Sequence, residues 1–127
     1  MEDSKDHTIL IVEDEIIIAL DIQDTLKRIG YPRTSVAESG EAALVKLSRE
    51  LPDLIMMDIG LGGTIDGIDT AEQIRSTYTA LPILFLTSYS NTKIRSRASL
   101  IPHSGYILKP YTSDMLATAI NTALRPQ

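Results

Sequence analysis

Asp58 closes the apolar run Leu54–Asp58 (LIMMD) and opens into a glycine-rich loop, IGLGG. An aspartate between a strand and a loop ordinarily caps a turn. Three other apolar runs end in the same manner. Thr8–Val12 (TILIV) is followed by Glu13, Asp14 and Glu15, Ile83–Thr87 (ILFLT) ends on a hydroxyl, and Gly105–Lys109 (GYILK) ends on an ammonium. In an open parallel sheet these ends share one edge, where ligands bind. Carboxylates from two adjacent strands would then converge, and two such charges about 5 Å apart repel by about 3 kcal/mol at an effective dielectric near 20. A cation relieves that repulsion. Oxygen ligands without histidine or cysteine suit a hard divalent ion, Mg²⁺ or a similar one such as Mn²⁺, which keeps several waters and reaches toward a phosphate. Thr87 and Lys109 would help to balance a phosphoryl group carried on one of the acids, and Asp58, the lone acid at its strand end, is the candidate nucleophile.

Each residue also has an ordinary reading. Glu13 and Asp14 suit a helix N-terminus, Thr87 can fill a strand end, and Lys109 can be a solvated charge. The joint placement at successive strand ends favours the chemical reading.

That placement requires five strands alternating with five helices. The fifth apolar run is Thr34–Ala37 (TSVA), and four of the five are too continuously apolar for one-sided strands, so they predict a parallel sheet covered on both faces. Between them lie stripes at helical spacing: Ile18, Ile22, Leu26 and Ile29 before a Gly30 stop, and Ala43, Leu44, Leu47 and Leu51 before Pro52. The later stripes are Ile68, Ala71, Ile74 and Tyr78, then Ile94, Ala98 and Ile101, then Leu116, Ala119, Ile120, Ala123 and Leu124. They read as core.

A chain of 127 residues with 43% hydrophobic and 23% charged residues has room for one core, and the boundary expected is a single domain over 1–127 with no output domain. The absence of cysteine excludes disulfides, thiolate metal sites and cysteine nucleophiles. The start, MEDSKDH, is polar and acidic, and no apolar run approaches the roughly 18 residues of a membrane span, so a cytoplasmic protein is expected. A net charge of −5 argues against direct binding to nucleic acid. No GxxxxGK[ST] or GxGxxG accompanies Gly60, Gly62 and Gly63, which leaves no nucleotide loop. The basic string NTKIRSR (Asn91–Arg97) reads as a solvated helix face or a partner surface, and His7 and His103 as surface residues without a catalytic part.

The blocks ILIVEDE, LIMMDIGLGGTIDGIDTAEQI, ILFLTS and YILKPY, in this order and spacing, resemble those of the receiver domain of two-component response regulators, chemotaxis regulators among them. The resemblance covers essentially the whole chain. It implies a flavodoxin-like fold with sheet order 2-1-3-4-5, and acceptance by Asp58 of a phosphoryl group from a phosphohistidine on a sensor histidine kinase or phosphotransfer protein. It further implies that Asp14, Asp58 and the backbone carbonyl of Gly60 ligate Mg²⁺, that Glu13 helps directly or through water, and that Thr87 and Lys109 contact the phosphoryl oxygens. Tyr106 matches the family's switch aromatic, acting with Thr87, and Lys109–Pro110 its cis peptide. The face formed by the fourth helix (Lys93, Arg95, Arg97), the fifth strand and the fifth helix is the surface expected to meet a partner or a second copy. Two details depart from the common pattern: the loop GGTIDG reads one residue longer, and Ser88 follows the threonine.

Other functions on similar folds fit less well. A haloacid-dehalogenase-like phosphatase also uses an aspartyl nucleophile, Mg²⁺, Thr and Lys, but its DxDx[TV] pattern supplies a second acid that MDIGL lacks, which disfavours turnover. A constitutive interaction module gains no support from an intact acidic site. A flavin binder would lack the tryptophan that commonly sandwiches the ring.

Overall fold

The computed structural model describes residues 6–61, 65–88 and 92–125. Five strands, β1 (Thr8–Val12), β2 (Arg33–Ala37), β3 (Leu54–Asp58), β4 (Ile83–Thr87) and β5 (Ser104–Leu108), alternate with five helices, α1 (Ile16–Arg28), α2 (Gly40–Arg49), α3 (Gly67–Thr77), α4 (Thr92–Ser99) and α5 (Ser113–Leu124). All neighbouring strands pair in parallel, in the order β2-β1-β3-β4-β5. The alternation predicted the parallel sheet, and this order is the flavodoxin-like topology that the resemblance implied.

Side chains along a strand point alternately to opposite faces, so a run such as ILFLT feeds two cores. Leu10, Val12, Ile55, Met57, Ile83 and Phe85 pack with residues of α2, α3 and α4, whereas Ile9, Ile11, Leu54, Met56, Leu84 and Leu86 pack with α1 and α5. The helix ends are specified locally. Ser39 and Thr112 accept hydrogen bonds from the amides of Ala42 and Met115, while Asp66 and Asp69 form a reciprocal capping box at the start of α3. Gly30, at φ 106°, closes α1, with the Tyr31 amide reaching the Leu26 carbonyl at 2.7 Å.

Several expectations from the stripes need correction. β1 and β4, and β3 up to Asp58, are covered on both faces, but β5 is an edge strand in which only Ile107 is buried, because the strand order gives it one neighbour. β5 also runs one residue earlier than GYILK, so Lys109 lies just beyond it. The Lys109 amide still bonds the Thr87 carbonyl at 2.8 Å, and Pro110 has no N–H with which to continue the ladder. β2 likewise begins one residue earlier, at Arg33. Leu51 is not core: α2 stops at Arg49, the chain turns extended at Glu50, and Leu51 is 54% exposed. Ile101 is buried but follows α4, and Tyr78 is the C-cap of α3. The extra loop residue suspected within GGTIDG falls on 62–64, outside the described residues, as does Asn91.

Gly67 has a specific task at the end of β3. Its amide donates to the Ile59 carbonyl at 3.2 Å, and a Cβ there would lie 2.2 Å from the Asp58 carbonyl oxygen and 2.8 Å from the Ile59 Cα. Backbone cannot yield as a flexible side chain can. Gly67→Ala should therefore lower stability by roughly 1–3 kcal/mol, measured by urea unfolding. A change within about 0.5 kcal/mol, the range of an ordinary surface substitution, would show that this approach is not constraining.

Candidate functional site

Parallel register brings the ends of β1, β3 and β4 side by side. Val12 pairs with Met57 and Asp58 with Leu86, so Glu13 and Asp14 lie beside Asp58, and Thr87 lies one residue past the partner of Asp58. Glu13 is held by its own backbone, whose amide donates to the Ala37 carbonyl at 3.0 Å. Its side chain is buried, with the residue 2% exposed, whereas Asp14 is exposed and Asp58 is half-buried. Oxygens of the three carboxylates all fall within 4.8 Å of one another.

This proximity has an electrostatic signature. Burial, the charge of Asp58 and hydrogen bonds with Asp14 and Asp58 push the Glu13 carboxyl up to about 7. Without a cation the buried Glu13 carboxyl holds its proton more readily than an exposed one. An all-carboxylate set that is part buried and part open to solvent fits a hard divalent cation with remaining water positions.

The other expected residues surround Asp58. The Lys109 Nζ is 3.8 Å from Asp58 Oδ1, and the Gly60 amide donates to that same oxygen at 3.2 Å. Thr87, buried at the end of β4, is tied to Lys109 through their backbone hydrogen bond. The Lys109–Pro110 peptide is cis. Tyr106 stands apart from the acids, paired with Phe85 in mid-strand and half-buried. The Arg95 guanidinium lies 5.4 Å from its ring centroid. His103 is exposed, with φ 56°.

Arg97 does not join the expected outer face of α4. Its guanidinium turns toward α3 and bonds Asp69 Oδ1 and Glu72 Oε1, each at 3.1 Å. The acids of α3 compete successfully for it, and Asp69 is held below its usual carboxylate range by the Asp66 amide and by Arg97. Arg75, which the motifs did not single out, reaches from α3 to the carbonyls of Pro102 and His103 at 2.8 and 3.2 Å. Sequence reading also missed Gly67 and the exposed apolar start of α1, where Ile16, Ile17 and Leu20 follow directly on the acidic trio. The pattern Asp66-x-x-Asp69 at the head of the stripe Ile68, Ala71 and Ile74 was a usable signal for the α3 capping box. Nothing in the pattern singled out Gly67.

Residues 9–121 match the response regulator receiver domain family. The transcriptional regulatory protein PdtaR of Mycobacterium tuberculosis is 34% identical over 116 residues, covering 91% of this chain and 56% of that protein. For the transcriptional regulatory protein ZraR of Klebsiella oxytoca the identity is 32%, covering 91% of this chain and 26% of that protein. The chain thus spans about half the length of the first relative and about a quarter of the second. Among solved structures, the N-terminal domain of a response regulator/sensory box/GGDEF 3-domain protein from Carboxydothermus hydrogenoformans superposes with a TM-score of 0.83 at 38% identity, covering 93% of this chain and 94% of that one. Chemotaxis protein CheY4 of Vibrio cholerae gives 0.83 at 26% identity, with 93% and 98% covered. With its parallel sheet in the order 2-1-3-4-5 and a family match over residues 9–121, the chain belongs to the response regulator receiver domain family, the receivers of two-component systems.

Proposed function

We propose that Asp58 accepts a phosphoryl group from a phosphohistidine of a sensor kinase or phosphotransfer protein, and that the resulting acyl phosphate switches a partner-binding surface. The observation that carries this reading is the convergence of Glu13, Asp14 and Asp58 within 4.8 Å, with Lys109 against the acceptor. An Asp58 carboxylate oxygen attacks phosphorus, the histidine N–P bond breaks, and its electron pair stays on the imidazole nitrogen. Mg²⁺, or another hard cation, held by Glu13, Asp14, Asp58 and the Gly60 carbonyl would neutralise charge on the phosphoryl oxygens. Lys109 supplies a further positive charge, and Thr87 a hydroxyl donor to the new oxygens. The exposed turn Ile16, Ile17 and Leu20 offers apolar surface beside the acceptor for a donor protein. The absence of a second catalytic acid in MDIGL favours a switch over a turnover enzyme. No helix among the described residues is long and apolar enough to cross a membrane, which is compatible with a cytoplasmic site of action.

Asp58→Asn should abolish the acid-labile mass gain that acetyl phosphate and Mg²⁺ produce, as read by intact-mass measurement. Full labelling of that variant would place the acceptor elsewhere.

The raised Glu13 carboxyl fixes a pH dependence. Its folded value of about 7 lies above the ordinary 4.5, so without metal its stabilising contribution is complete below about 4.5 and is lost as pH rises through about 7. A cation binds the ionised form and competes with the proton. Mg²⁺ should therefore raise the melting temperature more at about pH 8 than at about pH 5. An equal rise at both would separate Glu13 from the metal.

Readout would run through Thr87 and Tyr106. A phosphoryl group would draw the Thr87 hydroxyl toward Asp58, and the Tyr106 ring, which borders an open cleft of about 670 Å³ between α4 and β5, would turn inward and leave Arg95. The responding face comprises α4 with Lys93 and Arg95, β5 and α5, and would receive a target or a second copy. Beryllofluoride should shift the amides around Arg95 and Tyr106 in the wild type, whereas Thr87→Ala should bind it without that response. A full response in the variant would eliminate the proposed lever.

A further inference from the structure

At the opposite end of the sheet from Asp58, a cleft of about 520 Å³ opens between the C-terminal half of α2 and the edge strand β2. Arg33, Lys46 and Arg49 line it, and Glu50 is the only acid that does. Strand register explains how cations from separate elements come together. Arg33 and Ser35 stand opposite Thr8 and Leu10, and Leu10 packs on the α2 side of the sheet, so Arg33 projects toward Lys46 and Arg49.

Lys46 and Arg49 oppose the negative end of the α2 dipole, a sufficient reason for basic residues in a last turn. Arg33 serves no helix end. None of the three side chains has an ion pair or hydrogen bond among the described residues, although the chain as a whole carries a net charge of −5. Three like charges are thus gathered against Glu50 on the lining and Asp53 beside it, whose carboxylate already accepts from the Thr8 amide at 2.7 Å. Two more features bear on the occupant. β2 pairs only with β1, so its outer backbone edge is open, and Leu51 stands exposed on the rim.

We propose that this cleft binds an extended acidic segment of a partner protein, laid along the open edge of β2 with carboxylates at Arg33, Lys46 and Arg49 and an apolar side chain on Leu51. Backbone pairing would supply affinity, and the three cations its selectivity. Nucleic acid fits poorly, because no aromatic residue lines the cleft for stacking. A small phosphate would leave the open edge and Leu51 unused.

The test is titration of the protein with a fluorescein-labelled peptide of alternating glutamate and leucine, followed by anisotropy and by amide chemical shifts. Binding is expected to weaken with added salt, to perturb residues 33–35 and 46–51, and to fall by about tenfold or more in the double variant Arg33→Glu/Arg49→Glu. Leu51→Ser should weaken it by a smaller factor. Lack of binding, undiminished binding to the double variant, or shifts confined to other surfaces would overturn the proposal. So would tripolyphosphate or single-stranded DNA binding the cleft more tightly than the peptide. Labelling at Asp58 by acetyl phosphate, measured on the double variant, should match the wild type. That control verifies the fold and keeps failure of the cleft distinct from failure of the phosphoacceptor reading.

Discussion

Three carboxylates within 4.8 Å form an arrangement that a folding chain does not adopt for stability. Glu13 shows the cost most clearly: it is buried, lies beside Asp58, and is shifted up to about 7. What holds it there is parallel pairing. β1, β3 and β4 carry their apolar side chains into two cores at once, and the gain from burying those chains outweighs the electrostatic strain at their ends. Much of the remaining structure can be understood as the means of keeping that edge in register.

The loop after Asp58 illustrates how the restraint reaches the helices. Gly67 lets α3 start against the Asp58 carbonyl, and the Asp66–Asp69 box fixes where that helix begins. Asp69 then meets Arg97 of α4. A continuous path of backbone and side-chain bonds therefore runs from the end of β3 to α4. It is a path of contacts, and its energetic coupling is a separate quantity that only paired substitutions can measure.

The elements that a residue pattern can specify were those with internal periodicity. ILFLT is apolar throughout because it faces two cores, and Ile22, Leu26, Leu116 and Ile120 repeat at helical spacing because one side of each helix is covered. The acidic trio was legible for the same reason, since strand ends in a parallel sheet must meet. Leu51 and Lys109 were placed inside elements that end two residues and one residue before them, where a following proline limits what the chain can continue. Arg97 was misread because the sequence shows its charge but not the acids across the gap on α3. Gly67 was passed over because its task depends on backbone distant in space, which no local pattern encodes.

Fastening of α4 has a thermodynamic consequence. Of its eight residues only Ala98 is buried, and much of its attachment is polar: Arg97 on Asp69 and Glu72, Arg95 over Tyr106, and Arg75 gripping the carbonyls of the segment that follows. Solvent-exposed ion pairs of this kind are each worth about 0–1 kcal/mol. Displacing the helix thus exposes little apolar surface, and heat capacity and denaturant sensitivity scale mainly with such surface. Any displacement of α4 would therefore change enthalpy and salt dependence more than heat capacity, and its balance would follow ionic strength.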